Sequence, residues 1–128
     1  MNEIILSTIP FLMDGLLMTF KISLFTIFFG SLIGVVVGML RSLDYAIITY
    51  PLGAYIHALR GTPFLIHLYL VYFMLPMTGI SWLQFEAFPA AVIALSMYTS
   101  TYVAEIVRSA IQAVPRGQSE AARSIGMT

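Results

Sequence analysis

The residues ISLFTIFFGSLIGVVVGML, at positions 22–40, run for nineteen positions without a charged side chain. A helix of this length, at about 1.5 Å per residue, matches the roughly 30 Å hydrocarbon core of a bilayer. The apolar pattern extends back to Gly15 across a single Lys21, whose long side chain can reach the membrane surface. The stretch therefore predicts a membrane span over about 15–40.

The composition of the whole chain agrees with a membrane location. Hydrophobic residues make up 59% of the 128 positions, charged residues only 9%, and the mean hydropathy is +0.93. A soluble domain carries about 25% charged residues, so this chain is predicted to be an all-α membrane protein. The six basic and six acidic residues cancel, which argues against a nucleic-acid-binding protein. Without cysteine there are no disulfides and no thiolate metal sites.

Two further stretches are long and apolar enough to span. Residues 61–85 and 87–104 are uncharged, and Pro63 and Pro89 suit the first turn of a helix, where a missing N–H is tolerated. We expect spans over about 63–79 and 88–113. The segment 43–59 is apolar but is interrupted by Pro51 and Gly53, so it is predicted to be a helix at, or dipping into, the membrane interface.

The charged residues predict the orientation of these spans. With three spans, one side of the membrane carries Arg41, Arg60, Arg108, Arg116 and Arg123, and the other carries Glu3, Asp14 and Glu86. The positive-inside rule makes the arginine side cytoplasmic and the N-terminus external. The first residues lack a positive start and a small-residue cleavage site, so the first span is expected to be a permanent anchor rather than a signal peptide.

Three glycines in the first span recur at every fourth position: Gly30, Gly34 and Gly38. This spacing places them on one helix face, where the absence of side chains lets another helix approach closely. Glycine is also simply common in membrane helices. The regular spacing favours a helix-packing face, which says nothing about chemistry.

The third span carries an unusual polar face. Tyr98, Thr101, Tyr102 and Glu105 lie on one side of the helix, followed one turn later by Arg108. Polar groups at this depth need partners, which predicts either part of a pathway for a polar solute or hydrogen bonds between helices. Alternatively, the hydroxyls bond to carbonyls of their own helix and Glu105 pairs locally with Arg108.

No arrangement in the sequence indicates catalysis or a bound cofactor. His57 and His67 lie ten residues apart with no cysteine or carboxylate at ligand spacing, so a metal site is not expected. No glycine-rich loop ending in Lys-Ser/Thr indicates a nucleotide site, and no serine, histidine and acid are placed for nucleophilic catalysis. The chain is predicted not to be an enzyme and to bind no cofactor. If ATP drives the system, another chain binds it.

The last residues, PRGQSEAARSIGMT at 115–128, are polar and predict a short helix over about 117–128. Pro115 and Gly117 would end the third span, and Gln118 or Ser119 would cap the new helix. Ala121 and Ala122 have short side chains, so this face of the helix can fit into a groove of a partner. Gly126 is expected to end or kink the helix. A docking surface and a solvated cytoplasmic loop both fit these residues.

Four blocks of the sequence, in order, resemble one family. They are Gly15-Leu16-Leu17-Met18-Thr19, the Arg-Gly-Thr-Pro segment within residues 59–66, residues 102–118, and Glu120-Ala121-Ala122-x-x-x-Gly126. The last block resembles the Glu-Ala-Ala signature of bacterial ABC-importer permease subunits. The second and third resemble the polar amino acid (histidine/glutamine-type) permeases among them. The likeness covers nearly the whole chain.

The resemblance implies a bacterial inner-membrane permease that carries a polar amino acid by alternating access. It pairs with a like or identical permease, two ATPase subunits bind ATP, and an external solute-binding protein delivers the amino acid. By the same resemblance, the residues of a coupling helix that docks to the ATPase are Arg116, Gly117, Glu120, Ala121, Ala122 and Gly126.

The sequence departs from this family in its length. Members continue for two more spans, whereas this sequence stops at Thr128. It is therefore expected to be a fragment or a truncated product. The alternative function is a non-transporting membrane subunit that uses the glycine face to bind or regulate another permease. An ion-driven carrier is disfavoured, because deep titratable residues would favour it and the sequence offers only Glu105, near a membrane edge.

Overall fold

The computed structural model describes residues 2–43 and 45–127. Five α-helices follow one another: α1 (Asn2–Arg41), α2 (Ala46–Arg60), α3 (Phe64–Tyr69), α4 (Ala87–Gln112) and α5 (Arg116–Ser124). No strand occurs among these residues. Two helical segments, Thr8–Arg41 and Ala87–Gln112, are long and apolar enough to cross a membrane, and a bent pair of shorter helices makes a third candidate. The predicted all-α membrane fold with about three spans is confirmed.

Helix α1 begins earlier than the apolar pattern predicted. It runs over 40 residues from Asn2, whereas the predicted span began near Gly15. The charges of Asp14 and Lys21 limit how much of the chain lies in hydrocarbon, but they do not stop a helix that continues into water or headgroups. Forty residues make a helix of about 60 Å, twice the hydrocarbon thickness. The helix therefore extends beyond the segment that the bilayer can cover.

Helices α2 and α3 form a bent pair, with an angle of 103° between the segments Ala46–Arg60 and Phe64–Thr78. The bend falls at Gly61, Thr62 and Pro63, because proline lacks an N–H and pushes the residue before it out of the helical region. After α3 the backbone continues as a π-helical turn over Leu70–Met74 and a 3₁₀ turn over Pro76–Thr78. The helical stretch predicted over 63–79 is present in this form, and its limits in the membrane stay a prediction.

The glycine stripe of α1 lies against α4. A side chain at Gly30 would meet Thr99, one at Gly34 would meet Val103, and one at Gly38 would meet Val107, each within 3.0 Å. Since the numbers rise together along both helices, α1 and α4 run parallel. The segment between them must therefore return across the thickness of the bundle, as a three-span topology requires.

Buried residues are few and lie between the helices. One cluster joins Val37 of α1, Ile56 of α2 and Ala104 of α4, and a second joins Val71 to Ala90 and Ala94. Most large apolar side chains of α1 instead point outward. Small residues inside and large apolar residues outside are the arrangement that helix packing in lipid favours.

Helix α5 extends from the end of α4 and does not pack closely against any other helix of the described chain. It begins at Arg116, directly after Pro115, with no side-chain cap. The predicted cap at Gln118 or Ser119 is therefore wrong, because the fixed φ of proline already sets the start of the helix. The helix ends at Ser124 rather than near 128, and Thr128 lies outside the described residues.

The end of α5 is set by Gly126, as the sequence predicted. This glycine has φ +84°, its N–H donates to the Arg123 carbonyl at 3.1 Å, and the Met127 N–H donates to the Ala122 carbonyl at 3.0 Å. These two bonds and the left-handed glycine form a Schellman motif, which satisfies carbonyls at the end of a helix. A residue with a side chain would be strained at this position.

Candidate functional site

The four polar residues predicted to share one face of α4 lie in three different surroundings. Thr101 is fully buried, and its hydroxyl donates to the Tyr98 carbonyl at 2.7 Å. Tyr98 and Tyr102 lie at the edge of the bundle, and their hydroxyls are 3.0 Å apart. Thr101 therefore follows the alternative in which a hydroxyl bonds to its own helix, while the two tyrosines form a polar surface. Glu105 belongs to a separate cluster.

The bend between α2 and α3 packs onto this tyrosine pair. The guanidinium of Arg60 lies 4.6 Å from the centre of the Tyr102 ring, within the range of a cation–π contact. The Tyr98 ring lies 5.6 Å from that of Phe64 and 5.9 Å from that of His67. The sequence analysis used Arg60 to orient the spans and did not predict it as a site residue. Its position in the Arg-Gly-Thr-Pro block, next to the bend, was the feature that could have indicated this role.

A second contact between α2 and α4 is polar and buried. The hydroxyl of Tyr55 lies 2.8 Å from Ser100 Oγ and 3.1 Å from the Met97 carbonyl. Ser100 is fully buried and also donates to the Met97 carbonyl at 2.7 Å. This contact holds α2 against the middle of α4, about three turns from the end of that helix. Helix α2 therefore dips below the ends of the helices beside it.

The variant Tyr55→Phe is expected to destabilise the docking of α2 by about 0.5–1 kcal/mol, since hydrogen bonds between membrane helices contribute about that much. Tyr50→Phe on the same helix is the matched control, because Tyr50 is 79% exposed. The measurement is unfolding in mixed micelles with increasing denaturing detergent. Equal midpoints for the two variants would contradict a stabilising role for the Tyr55 hydroxyl.

The charged cluster of α4 includes a partner from another helix. Both oxygens of Glu105 are engaged: Oε1 accepts from Arg41 Nη1, and Oε2 accepts from Arg108 Nε at 3.1 Å and Nη2 at 2.9 Å. Arg108 also donates to Gln112 at 2.7 Å. The predicted local pair of Glu105 and Arg108 is present. Sequence reasoning missed Arg41, which joins the end of α1 to α4 in the same cluster.

The residues predicted for a docking helix form a free surface on α5. Arg116, Gly117, Glu120, Ala121 and Gly126 are exposed, and Ala122 is half-buried. A shallow depression of about 310 Å³ runs between α5 and the end of α4. The structure does not bring this surface together with the tyrosine pair. The two regions are separate features of the molecule.

The histidines lie in different places. His57 is exposed on α2, whereas His67 is buried on α3. Among residues 2–43 and 45–127, no three histidine, aspartate or glutamate side chains come together in the way that a metal ion requires. The polar groups described inside or at the edge of the bundle are therefore hydroxyls, guanidinium groups, the Glu105 carboxylate and the buried imidazole of His67.

Comparison with known proteins adds a family. Residues 4–128 match the family model described as binding-protein-dependent transport system inner membrane component. The probable amino-acid ABC transporter permease protein YckA of Bacillus subtilis (strain 168) is 36% identical over 127 residues, which cover 99% of this chain and 55% of the relative. The arginine transport system permease protein ArtQ of the same organism is 36% identical over 119 residues, covering 93% and 53%.

The fold has a solved counterpart. A crystal structure of an amino acid ABC transporter with histidines contains a chain that superposes with a TM-score of 0.84 at 40% sequence identity, covering 97% of this chain and 56% of that one. The chain thus spans about half the length of the relatives it matches.

Proposed function

The chain belongs to the family of binding-protein-dependent transport system inner membrane components, and on that basis we propose that it forms part of the permease of an ATP-driven importer for a polar amino acid. The family places it in the inner membrane as a multi-pass protein. The relatives are transport proteins rather than enzymes. The proposal for this chain has two parts: a surface that docks to the ATPase, and a surface that lines the path of the solute.

The single observation that carries the docking part is the isolation of α5. Among the described residues this helix packs closely against no other helix and borders only the end of α4, across a shallow depression, and it exposes Glu120 and Ala121 together with its arginines. It follows the end of α4 at which Arg41 and Arg108 also gather. By the positive-inside rule this end faces the cytoplasm and the N-terminus lies outside. A free helix on that side is suited to a groove of an ATPase subunit that binds the ATP.

The proposal that this chain lines the path of the solute rests on Tyr98, Tyr102 and the nearby Arg60. Tyr98 and Tyr102 present hydroxyls at the edge of α4, and Arg60 stands over the Tyr102 ring. Among the residues that the structure describes, Arg60 has no ion-pair partner. A guanidinium beside two hydroxyls complements the carboxylate of an amino acid. Glu105 joins α4 to the end of α1 beside this surface, and Thr101 is buried with its hydroxyl bonded within α4.

The proposed mechanism is alternating access. ATP-driven closure of the ATPase subunits moves α5, and the rigid pair of α1 and α4 tilts with it because their backbones are in close contact. The tyrosine surface then opens to one side of the membrane at a time. A like or identical permease completes the path, and an external solute-binding protein delivers the amino acid. No covalent step is assigned to this chain.

The glycine face suggested for the non-transporting alternative is not free to bind another permease. A subunit that binds another permease through its glycines needs a free glycine face, but Gly30, Gly34 and Gly38 already lie against α4. Such a subunit would need another surface, and no described contact favours one.

The variants Glu120→Lys and Gly126→Asp test the docking surface in the transporter assembled with its ATPase. The first reverses an exposed charge on α5, and the second puts a side chain where φ is +84°. Each is expected to weaken ATPase association by about 2 kcal/mol, roughly 30-fold, as truncations at the centre of an interface do. Co-purification and uptake into vesicles measure the effect.

Glu86→Lys is the matched control, because Glu86 is also exposed and lies just before α4, at the opposite end of that helix from α5. It should leave ATPase association unchanged. If Glu120→Lys and Gly126→Asp bind the ATPase and transport as the parent does, α5 is not the docking element.

A further inference from the structure

The segment that joins the third candidate span to α4, residues 76–84, has an unusual surface for a connection between helices. It carries no charged side chain. Three of its large apolar side chains are nevertheless exposed: Met77 by 84%, Ile80 by 42% and Trp82 by 75%. Exposed apolar surface of this kind marks contacts with other proteins or with membranes. We call residues 76–84 the outer segment, because the proposed orientation places it on the external side.

The outer segment lies at the boundary of the hydrocarbon core. Residues 87–104 of α4 are uncharged and extend about 27 Å, which is nearly the full thickness of that core. The start of α4 therefore stands at one face of the core. Leu75 and Phe85, which flank the outer segment, both pack against the cluster that contains Ala90, one turn into α4. The segment is thus held at the level of the lipid headgroups, at the end of α4 opposite α5.

The backbone of the outer segment is partly satisfied within the segment itself. Two 3₁₀ turns, Pro76–Thr78 and Ser81–Leu83, follow each other. The N–H groups of Gly79 and Leu83 donate to carbonyls three residues earlier, at 3.2 and 3.0 Å. Backbone groups that contact lipid need partners within the protein, because hydrocarbon offers none. These internal bonds lower the cost of moving the segment out of water.

The exposed side chains are of the kinds that the membrane interface favours. Tryptophan concentrates where a span meets the headgroups, because its ring is apolar and its indole N–H is polar. Exposed apolar side chains also continue from the π-helical turn, through Phe73 and Met74, to Met77 without a charged residue between them. The surface of the outer segment is therefore continuous with the outward-facing apolar surface of the candidate span before it.

We infer that the outer segment inserts Met77 and Trp82 into the headgroup region of the adjacent leaflet and anchors this end of the bundle at the membrane surface. The partner is a lipid surface. Zwitterionic lipid suffices, because the segment has no basic side chain that would bind anionic headgroups. A soluble binding protein and a second copy of the chain are the rival occupants. The inference holds whether or not the chain transports an amino acid.

Trp82 is the single tryptophan of the chain, so its fluorescence reports on this segment alone. The full chain is reconstituted without other proteins in phosphatidylcholine vesicles whose acyl chains are brominated near either the headgroup end or the methyl end. Trp82 should emit at a shorter wavelength than N-acetyltryptophanamide in water, and the shallow bromines should quench it more than the deep ones. Emission that matches the free amide and is quenched by neither lipid overturns the inference.

The reference for the membrane interior is Trp82→Phe combined with Phe28→Trp. Phe28 is 63% exposed and lies in the middle of the predicted span over 15–40. A tryptophan at that position should show the opposite order, with stronger quenching by the deep bromines. The same order of quenching at both positions would contradict an interfacial position for Trp82.

Met77→Glu tests whether the outer segment inserts as a unit. A charged side chain leaves water only at a high cost, so this variant should shift the Trp82 emission to longer wavelength and lower its quenching by shallow bromines. Gln118→Glu adds the same charge on the exposed surface of α5 and is the matched control, which should leave the emission unchanged. An unchanged emission in Met77→Glu overturns the insertion of Met77.

Dilution of the chain with lipid separates the rival occupants. Contact with lipid predicts the same bromine quenching at every ratio of lipid to chain, in phosphatidylcholine and in mixtures with anionic lipid. Quenching that appears only on dilution would mean that a second copy covers Trp82, and a requirement for anionic lipid would contradict the stated partner. If Trp82 is quenched by acrylamide in the water and not by brominated lipid, its surface is open to a soluble protein. Each of these three results overturns the inference and leaves the proposed function standing.

Discussion

The variant Gly34→Leu is expected to separate α1 from α4 and to destabilise the folded chain by about 3 kcal/mol or more, the upper part of the range for overpacking. Even the first carbon of a side chain at this position would stand 2.5 Å from Val103 Cβ and 2.8 Å from the Ser100 carbonyl oxygen. Carbon atoms in contact lie about 3.5–4.0 Å apart. The carbonyl belongs to the backbone of α4, so relief requires the helices themselves to move.

The absence of native cysteine makes the separation measurable. Cysteines introduced at Phe25 and Phe88, whose rings lie 6.0 Å apart on α1 and near the start of α4, can be joined by a short bifunctional crosslinker. Gly34→Leu should lower the yield of this crosslink and the midpoint of detergent unfolding. Gly15→Leu is the matched control, because nothing lies within 4 Å of a side chain added there. Equal yields for both variants would show that α1 and α4 are not closely packed.

Features that depend on neighbouring residues in the chain were predictable from the sequence. The two long apolar helices, the helix start at Pro63 and the end of α5 at Gly126 follow from hydropathy, from the missing N–H of proline and from the freedom of glycine at positive φ. The start of α1 was not predictable in this way. Hydropathy indicates which residues suit lipid, and a helix can continue past that limit.

Features that depend on the register between helices were not predictable. Arg41 and Glu105 are 64 positions apart, and their contact requires that α1 and α4 run parallel with Gly38 opposite Ala104. The spacing of residues 98–105 placed four polar groups on one side of α4. It could not indicate that Thr101 would turn toward the interior of the bundle while Tyr102 remained 42% exposed.

The same limit applied to His67. Its ring nitrogen Nε2 lies 2.9 Å from the hydroxyl of Thr62, which stands at the bend five positions earlier. The sequence indicated a helix start at Pro63 and gave no reason to expect a metal ligand at His67. The burial of the ring depends on how the bend packs against α4, which the sequence did not indicate.

The variant Glu105→Ala is expected to destabilise the ends of α1 and α4 by about 2–3 kcal/mol. Removing one partner of a fully buried ion pair costs about 3–5 kcal/mol, because the remaining charge is left uncompensated. Here the side chains of Glu105, Arg41 and Arg108 are 24%, 13% and 28% exposed, so water screens part of this cost. Loss of the carboxylate leaves two guanidinium groups facing each other at the end of the bundle.

Variants of the arginines separate this repulsion from a simple loss of contacts. If repulsion contributes, Arg41→Met combined with Glu105→Ala should be more stable than Glu105→Ala alone, because one of the two opposed charges is gone and Arg108 still bonds to Gln112. Glu86→Ala is the control for removing an exposed carboxylate and should leave stability unchanged. Detergent unfolding in low and high salt is measured for the parent, Glu105→Ala, Arg41→Met, the double variant and Glu86→Ala, and added salt should stabilise Glu105→Ala most, since salt screens like charges. A double variant that is less stable than Glu105→Ala by the full cost of Arg41→Met would mean that the two arginines do not repel each other, and that Glu105 acts only through the hydrogen bonds it accepts.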